Sequence, residues 1–210
     1  MLSIRNILLA ASAGVLLWLA VPNFLAAAWM AVGQPIVNDI EDGKQPSAVD
    51  LETLVESRSQ AYSITNFSEY ATGLAVALVI QDDSPENIEK ALALLRVSTQ
   101  QAPMNAFSWQ WRARLANFSP NAEENEAVTA WRTARMLAEF DRHIFYDRIH
   151  LGTVIYRKME PQDHELLRED VERAYRENRG RLRAYAKKQD ILEWMKYLLR
   201  DQDKTKYLSS

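Results

Sequence analysis

Three side chains in this sequence have the types and spacing to hold a metal ion. His143, Asp147 and His150 stand at i, i+4 and i+7, so a helix presents all three on one face. Two imidazoles and a carboxylate are a common zinc ligand set, but no fourth ligand or supporting partner is identifiable, and a solvated polar face has the same spacing. Nucleophilic catalysis has less to build on. The chain has no cysteine and no G-x-S-x-G elbow, and His164-Glu165 lacks the second histidine of H-E-x-x-H. The acidic pairs Asp82-Asp83 and Glu123-Glu124 stand at expected helix starts, where the positive end of the helix accounts for them. The residues therefore predict a protein that is not an enzyme and needs no cofactor.

Arginines offer a second chemistry. Arg112, Arg114, Arg132, Arg135, Arg142 and Arg148 fall on the middle helices. Lining a groove, they would take an anionic peptide or polysaccharide; as exposed helix charges they need no ligand. Trp109, Arg112, Trp131 and Arg135 are the residues expected to contribute to a partner-binding groove. Six basic residues between Arg176 and Lys188 read first as a solvated face and second as a contact to anionic lipid. The net charge of −3 and pI near 5.7 speak against nucleic acid as a partner, because phosphate neutralisation needs a surplus of Lys and Arg.

These residues need elements to position them, and the front of the chain is the most distinctive. From Ile7 to Val32 no charge occurs over 26 residues, and only Ser12 and Asn23 carry polar side chains. About 20 apolar residues cross a bilayer core of roughly 30 Å. Residues 7–32 are expected to insert in the bilayer as an uncleaved anchor. A cleaved signal peptide with its site at Ala26–Ala28 and a buried core helix are the alternatives. Pro22 is expected to kink the run or end a first helix near Ala20. Arg5 ahead of it suggests that the N-terminus stays inside, which puts the body on the outer side of the membrane: the periplasm, if this is the inner membrane of a Gram-negative bacterium. Asp39–Ala48, with Gly43 and Pro46, reads as a tether.

Beyond the tether the chain reads as all-α. Helices are expected over Val49–Ser59 and Asn66–Gln81, from Ser84 and Pro85 to near Pro103, over Met104–Asn117, after Asn125, over His143–Lys158, from Pro161 with an interruption at Gly180, and over Ile191–Arg200. The expected organisation is an anchor over 1–38, a linker over 39–48, one helical repeat-like domain over 49–200, and a frayed tail over 201–210.

Three of these helices superpose. Ala91, Leu95 and Ser98 match Ala127, Trp131 and Ala134, which match Leu167, Val171 and Ala174, at offsets of 36 and 40 residues. Each set is small or apolar, then large, then small, which lets a neighbouring helix approach closely. Trp109, four residues before Ala113, and Pro103 at a turn extend the match. The stretch from about Asn66 to Arg179 resembles tetratricopeptide repeats, whose period is about 34 residues; an ordinary helical bundle is the other reading. The layout, with LAEFDRHIFYDRIHLG at a repeat junction, is similar to accessory proteins of bacterial exopolysaccharide assembly systems. That resemblance implies a membrane-anchored adaptor binding protein partners in a polysaccharide assembly or export complex. Direct binding of an anionic glycan by the arginine face is the alternative.

Overall fold

The computed structural model describes residues 4–139, 141 and 144–209, and every regular element among them is helical. The chain forms two compact units that divide between Ala102 and Pro103. The expected single domain over 49–200 is therefore divided, and its first half joins the anchor. No shift of composition marks this boundary; it falls in the short turn after α4.

The first unit holds α1 (Ile4–Glu41), α2 (Ala48–Thr65), α3 (Ser68–Gln81) and α4 (Pro85–Gln101). Helix α1 runs unbroken through Pro22 and Pro35, so Pro22 does not end it. Its 38 residues span roughly 57 Å at 1.5 Å each, and it is long and apolar enough to cross a membrane. Before Ala26 its large apolar side chains are uncovered where described: Leu16, Trp18 and Phe24 are 66%, 77% and 72% exposed. A core helix would bury such side chains, so that alternative does not apply here. From Ala26 onward the same helix packs on α2.

That contact explains why the tether is shorter than its composition suggests. A Cβ on Gly33 would stand 2.5 Å from Ser57 Oγ and 3.0 Å from Leu54 Cδ1, so only glycine lets α2 come this close. Pro35 has no N–H for the carbonyl of Ala31. One residue away, the buried Arg58 donates from Nη1 to the Met30 carbonyl at 2.6 Å. Burial holds the Arg58 guanidinium below its ordinary pKa. Asp39–Glu41 thus belong to α1, and residues 42–47 alone make the turn. Ser47 then starts α2 with a capping box: the Asp50 N–H donates to Ser47 Oγ at 3.2 Å and the Ser47 N–H to Asp50 Oδ2 at 2.9 Å.

Helix α2 outlasts its expected end at Ser59 because Asn66 closes it in the left-handed conformation, φ 51°, with its N–H on the Tyr62 carbonyl. Ser84 and Pro85 begin α4 as read from the sequence. Helices α3 and α4 form a hairpin pinned by a 2.7 Å hydrogen bond between the hydroxyls of Thr72 and Ser98.

The second unit holds α5 (Ala106–Phe118), α6 (Glu126–Leu137), α7 (Phe145–Val154), a short 3-10 turn (Tyr156–Lys158), α8 (Pro161–Lys188), α9 (Leu192–Leu199) and α10 (Gln202–Ser209). Helix α8 breaks at Asn178, whose φ of −158° and ψ of 87° leave the helical region two residues before Gly180. The tail is helical where fraying was expected. Leu208 is buried, Lys204 pairs with Glu172 at 2.9 Å, and Arg179 lies 4.4 Å over the Tyr207 ring. A few polar residues can hide one well-placed apolar anchor.

All nine superposed positions are buried: Ala91, Leu95 and Ser98 in α4, Ala127, Trp131 and Ala134 in α6, and Leu167, Val171 and Ala174 in α8. At Gly152 a Cβ would stand 2.6 Å from Leu167 Cδ1, so α7 also meets α8 at a small residue.

Candidate functional site

The arginines of α6 and α7 face inward, onto carboxylates presented by α8. Arg132 grips the fully buried Asp163 with both Nε and Nη2, at 2.8 and 2.9 Å. One helical turn further along α6, Arg135 Nε donates to Asp170 Oδ1 at 3.2 Å and its Nη2 to Glu169 at 2.9 Å. Arg148 reaches the other oxygen of Asp170 at 3.1 Å, and neither side chain of that pair has any exposure. The remaining guanidinium nitrogens of Arg148 donate to the carbonyls of Ala138 and Glu139, at 2.7 and 3.3 Å, where α6 ends. Burial lowers the pKa of Arg148 and raises that of Asp170, so each charge depends on the other for solvation.

Trp131 joins the same lock. It has no exposure, and its indole Nε1 donates to the Arg148 carbonyl at 3.0 Å. The expectation that Trp131 lines a partner groove is corrected accordingly: the largest side chain of α6 fills the junction between α6 and α7. Arg135, only 12% exposed at its side chain, also belongs to this internal network.

The two other residues of the expected groove do meet. On α5, the Arg112 guanidinium lies 5.1 Å over the Trp109 ring and donates from Nε to Glu126 at 2.8 Å. Trp109 Nε1 donates to the Pro103 carbonyl at 2.8 Å. Both are half-buried and serve the α5–α6 hairpin. The open part of α5 is its other stripe. Phe107, Trp111, Arg114 and Phe118 follow at helical spacing, with Phe107 46% and Phe118 59% exposed. Phe107 meets Trp111 edge-on at 6.3 Å, and Arg114 stacks 4.9 Å over the Trp111 ring. The periodicity of α5 gives two apolar stripes, Ala106, Trp109, Ala113 and Ala116 on one side and Phe107, Trp111, Leu115 and Phe118 on the other; Ala113, Ala116 and Leu115 are buried, Trp111 is half-buried, and Phe107 and Phe118 stay exposed.

Arg114 and Phe118 also border a cavity of about 320 Å³ with Asp147, His150, Leu151, Val154 and Gln189. Asp147 accepts from Tyr185 Oη at 2.8 Å and from Arg114 at 3.4 Å. Burial, and secondarily the charge of Arg114, push the His150 imidazole below its usual pKa. Asp147 and His150 therefore share a face, as their spacing implies. His143 lies outside the described residues. Among the described residues no group of three or more His, Cys, Asp or Glu side chains stands close enough to hold a metal ion, and a guanidinium beside Asp147 opposes a divalent cation there.

One cluster escaped the sequence reading. Tyr156 stacks on His164 with centroids 3.9 Å apart and meets Trp194 at 4.9 Å, while Trp194 meets Tyr197 edge-on at 6.0 Å. Burial first, and Tyr197 second, push the Tyr156 phenol up to about 12. The i, i+3 pair Trp194 and Tyr197 was the available signal; its partners Tyr156 and His164 come from 30 to 41 residues away in the sequence, and no local pattern points to them.

No protein-family model matches this chain, and no curated protein is significantly similar to it.

Proposed function

We propose that this protein is a membrane-anchored helical adaptor that binds protein partners through the exposed aromatic side chains of α5. The observation that carries this reading is the pairing of Phe107 and Phe118, each about half exposed, with Arg114 stacked on Trp111 between them. Aromatic and arginine side chains on one open face are what protein interfaces are enriched in. The arginine-face alternative has less support, because Arg112, Arg114, Arg132, Arg135 and Arg148 each already face a carboxylate.

The anchor reading is supported by the position of Ala26. This residue is fully buried with Ala61 and Tyr70, so cleavage at Ala26–Ala28 would remove part of the core that orders α2 and α3. With the N-terminus inside, the chain beyond α1 stands on the outer side of the membrane, the periplasm of a Gram-negative cell. A tetratricopeptide-like arrangement of helix pairs and a role in cell-envelope polysaccharide assembly or export complete the proposal; they rest on the repeat spacing and the layout.

The test is recovery of membrane proteins with the full-length chain and with a Phe107→Ala/Phe118→Ala variant. Both side chains are exposed, so helicity and thermal stability should be kept. Loss of specific partners in the variant supports the adaptor; an unchanged partner set refutes the assignment of α5.

A further inference from the structure

We propose that the turn between α2 and α3, with Phe67 at its tip, enters the membrane beside α1 and gives the first unit a second contact with the bilayer. The proposal rests on the reading of α1 as a membrane anchor, and it follows from the register of the helices. Helix α2 runs antiparallel to α1. Gly33 of α1 meets Ser57, Met30 accepts from Arg58, and Ala26 packs with Ala61, so each step toward the start of α1 is a step toward the end of α2. Helix α3 then returns in the opposite direction, with Gly73 level with Met30 and Tyr70 level with Ala26.

Extending either register by one turn brings Thr65–Phe67 level with about residues 22–24 of α1. That is the part of α1 whose large apolar side chains are uncovered: Val21 is 48% and Phe24 72% exposed. Trp29, 39% exposed, suits the boundary between lipid tails and headgroups. The turn then lies about 9 Å further toward the bilayer centre than Trp29, at six residues of 1.5 Å, which is the depth at which amphipathic elements seat their apolar faces.

The chemistry of the turn fits that depth. Phe67 is 53% exposed and stacks on Tyr70 with centroids 6.4 Å apart, so the ring is braced from behind with one face free. Ile64 packs onto the Ala26, Ala61 and Tyr70 cluster. Glu69 is the only charged residue between Arg58 and Asp82, and it occupies the first turn of α3, where the helix dipole favours it. The ten residues Ser59–Ser68, which end α2 and make the turn, carry no charge, and with an exposed phenylalanine among them they suit an element that seats in the interface.

The absence of native cysteine makes the test direct. Single cysteines at Phe67→Cys, Val21→Cys and Asp83→Cys, each carrying a nitroxide, are compared in the full-length protein reconstituted into phosphatidylcholine–phosphatidylglycerol vesicles. Collision with oxygen and with a water-soluble nickel chelate is read by power saturation. The expected result is a label at 67 that resembles the one at 21, protected from nickel and open to oxygen, while the label at 83 is open to nickel. A lipid-like label at 21 with a nickel-exposed label at 67 overturns the second contact and leaves the anchor standing. Nickel exposure at both 21 and 67 overturns the anchor and the second contact together.

Discussion

Replacing Asp170 by asparagine should destabilise the second unit more than any comparable surface change, because it removes charge without removing volume. The carboxylate serves two guanidiniums. Arg135 keeps Glu169 at 2.9 Å after the change, but Arg148, with no exposure, loses the carboxylate it pairs with. Leaving one charge of a buried pair uncompensated costs about 3–5 kcal/mol. The two carbonyls that Arg148 also reaches soften the loss, so about 3 kcal/mol is expected for Asp170→Asn. At roughly 4–8 °C per kcal/mol for a unit of this size, the midpoint of thermal unfolding should fall by about 12–24 °C. The assay is thermal unfolding of the full-length protein in detergent, followed by near-ultraviolet circular dichroism, with Arg148→Met, Asp170→Leu and Arg148→Met/Asp170→Leu alongside. The double variant should be more stable than the sum of its single changes by at least about 2 kcal/mol, because it removes both buried charges. A cost below about 1 kcal/mol for Asp170→Asn, or strictly additive single changes, would refute the idea that this pair locks α6, α7 and α8.

Other expectations follow from the same contacts. Trp131→Phe deletes the indole hydrogen bond to the Arg148 carbonyl inside the core and should cost about 1–3 kcal/mol in urea unfolding; no measurable change would show that the bond is dispensable. Gly33→Leu forces a side chain into the contact with Ser57 and Leu54 and should lower the stability of the first unit by about 1–3 kcal/mol, read by hydrogen exchange in α2, whereas Gly14→Leu, with nothing within 4 Å, should not. His150 has a depressed folded pKa, so as pH falls through about 6.5 the unfolded chain takes up a proton that the folded one resists. Stability should therefore drop across that window and level off below the folded value. His150→Gln should flatten this part of the profile, and an unchanged slope would show that His150 does not cause it.

The parts of the fold that could be read directly were those written in local spacing. Ser84-Pro85 and Pro161 mark helix starts because capping and proline act within one turn. The superposed residues of α4, α6 and α8 are buried because their small-and-large pattern is a packing pattern. The arginine lock was hidden for the opposite reason: Arg132, Arg135 and Arg148 find their carboxylates 22 to 35 residues away. A helical wheel places each on a face but does not say what covers it, which is how Trp131 reads equally well as groove or core. The α1 extension was masked by its own composition. Asp39, Glu41 and Asp42 with Gly43 and Pro46 look like a tether, whereas α1 continues to Glu41 because it is held on α2, at the close approach of Gly33 and beside Pro35, which frees a carbonyl near the Arg58 donor. Of the expected site, Trp109 with Arg112 and Asp147 with His150 come together; the exposed stripe of α5 was visible as periodicity, but not as a surface.

The central claim is that α5 carries the partner-binding face of an anchored adaptor. Its most direct test is a photo-cross-linking amino acid at position 107 or 118 of the full-length protein in intact cells, with position 136 of α6, where Met136 is 75% exposed, as the comparison. Discrete adducts with envelope membrane proteins are expected from 107 and 118 and none from 136. Equal labelling from all three positions, or no protein adduct from α5, would contradict it.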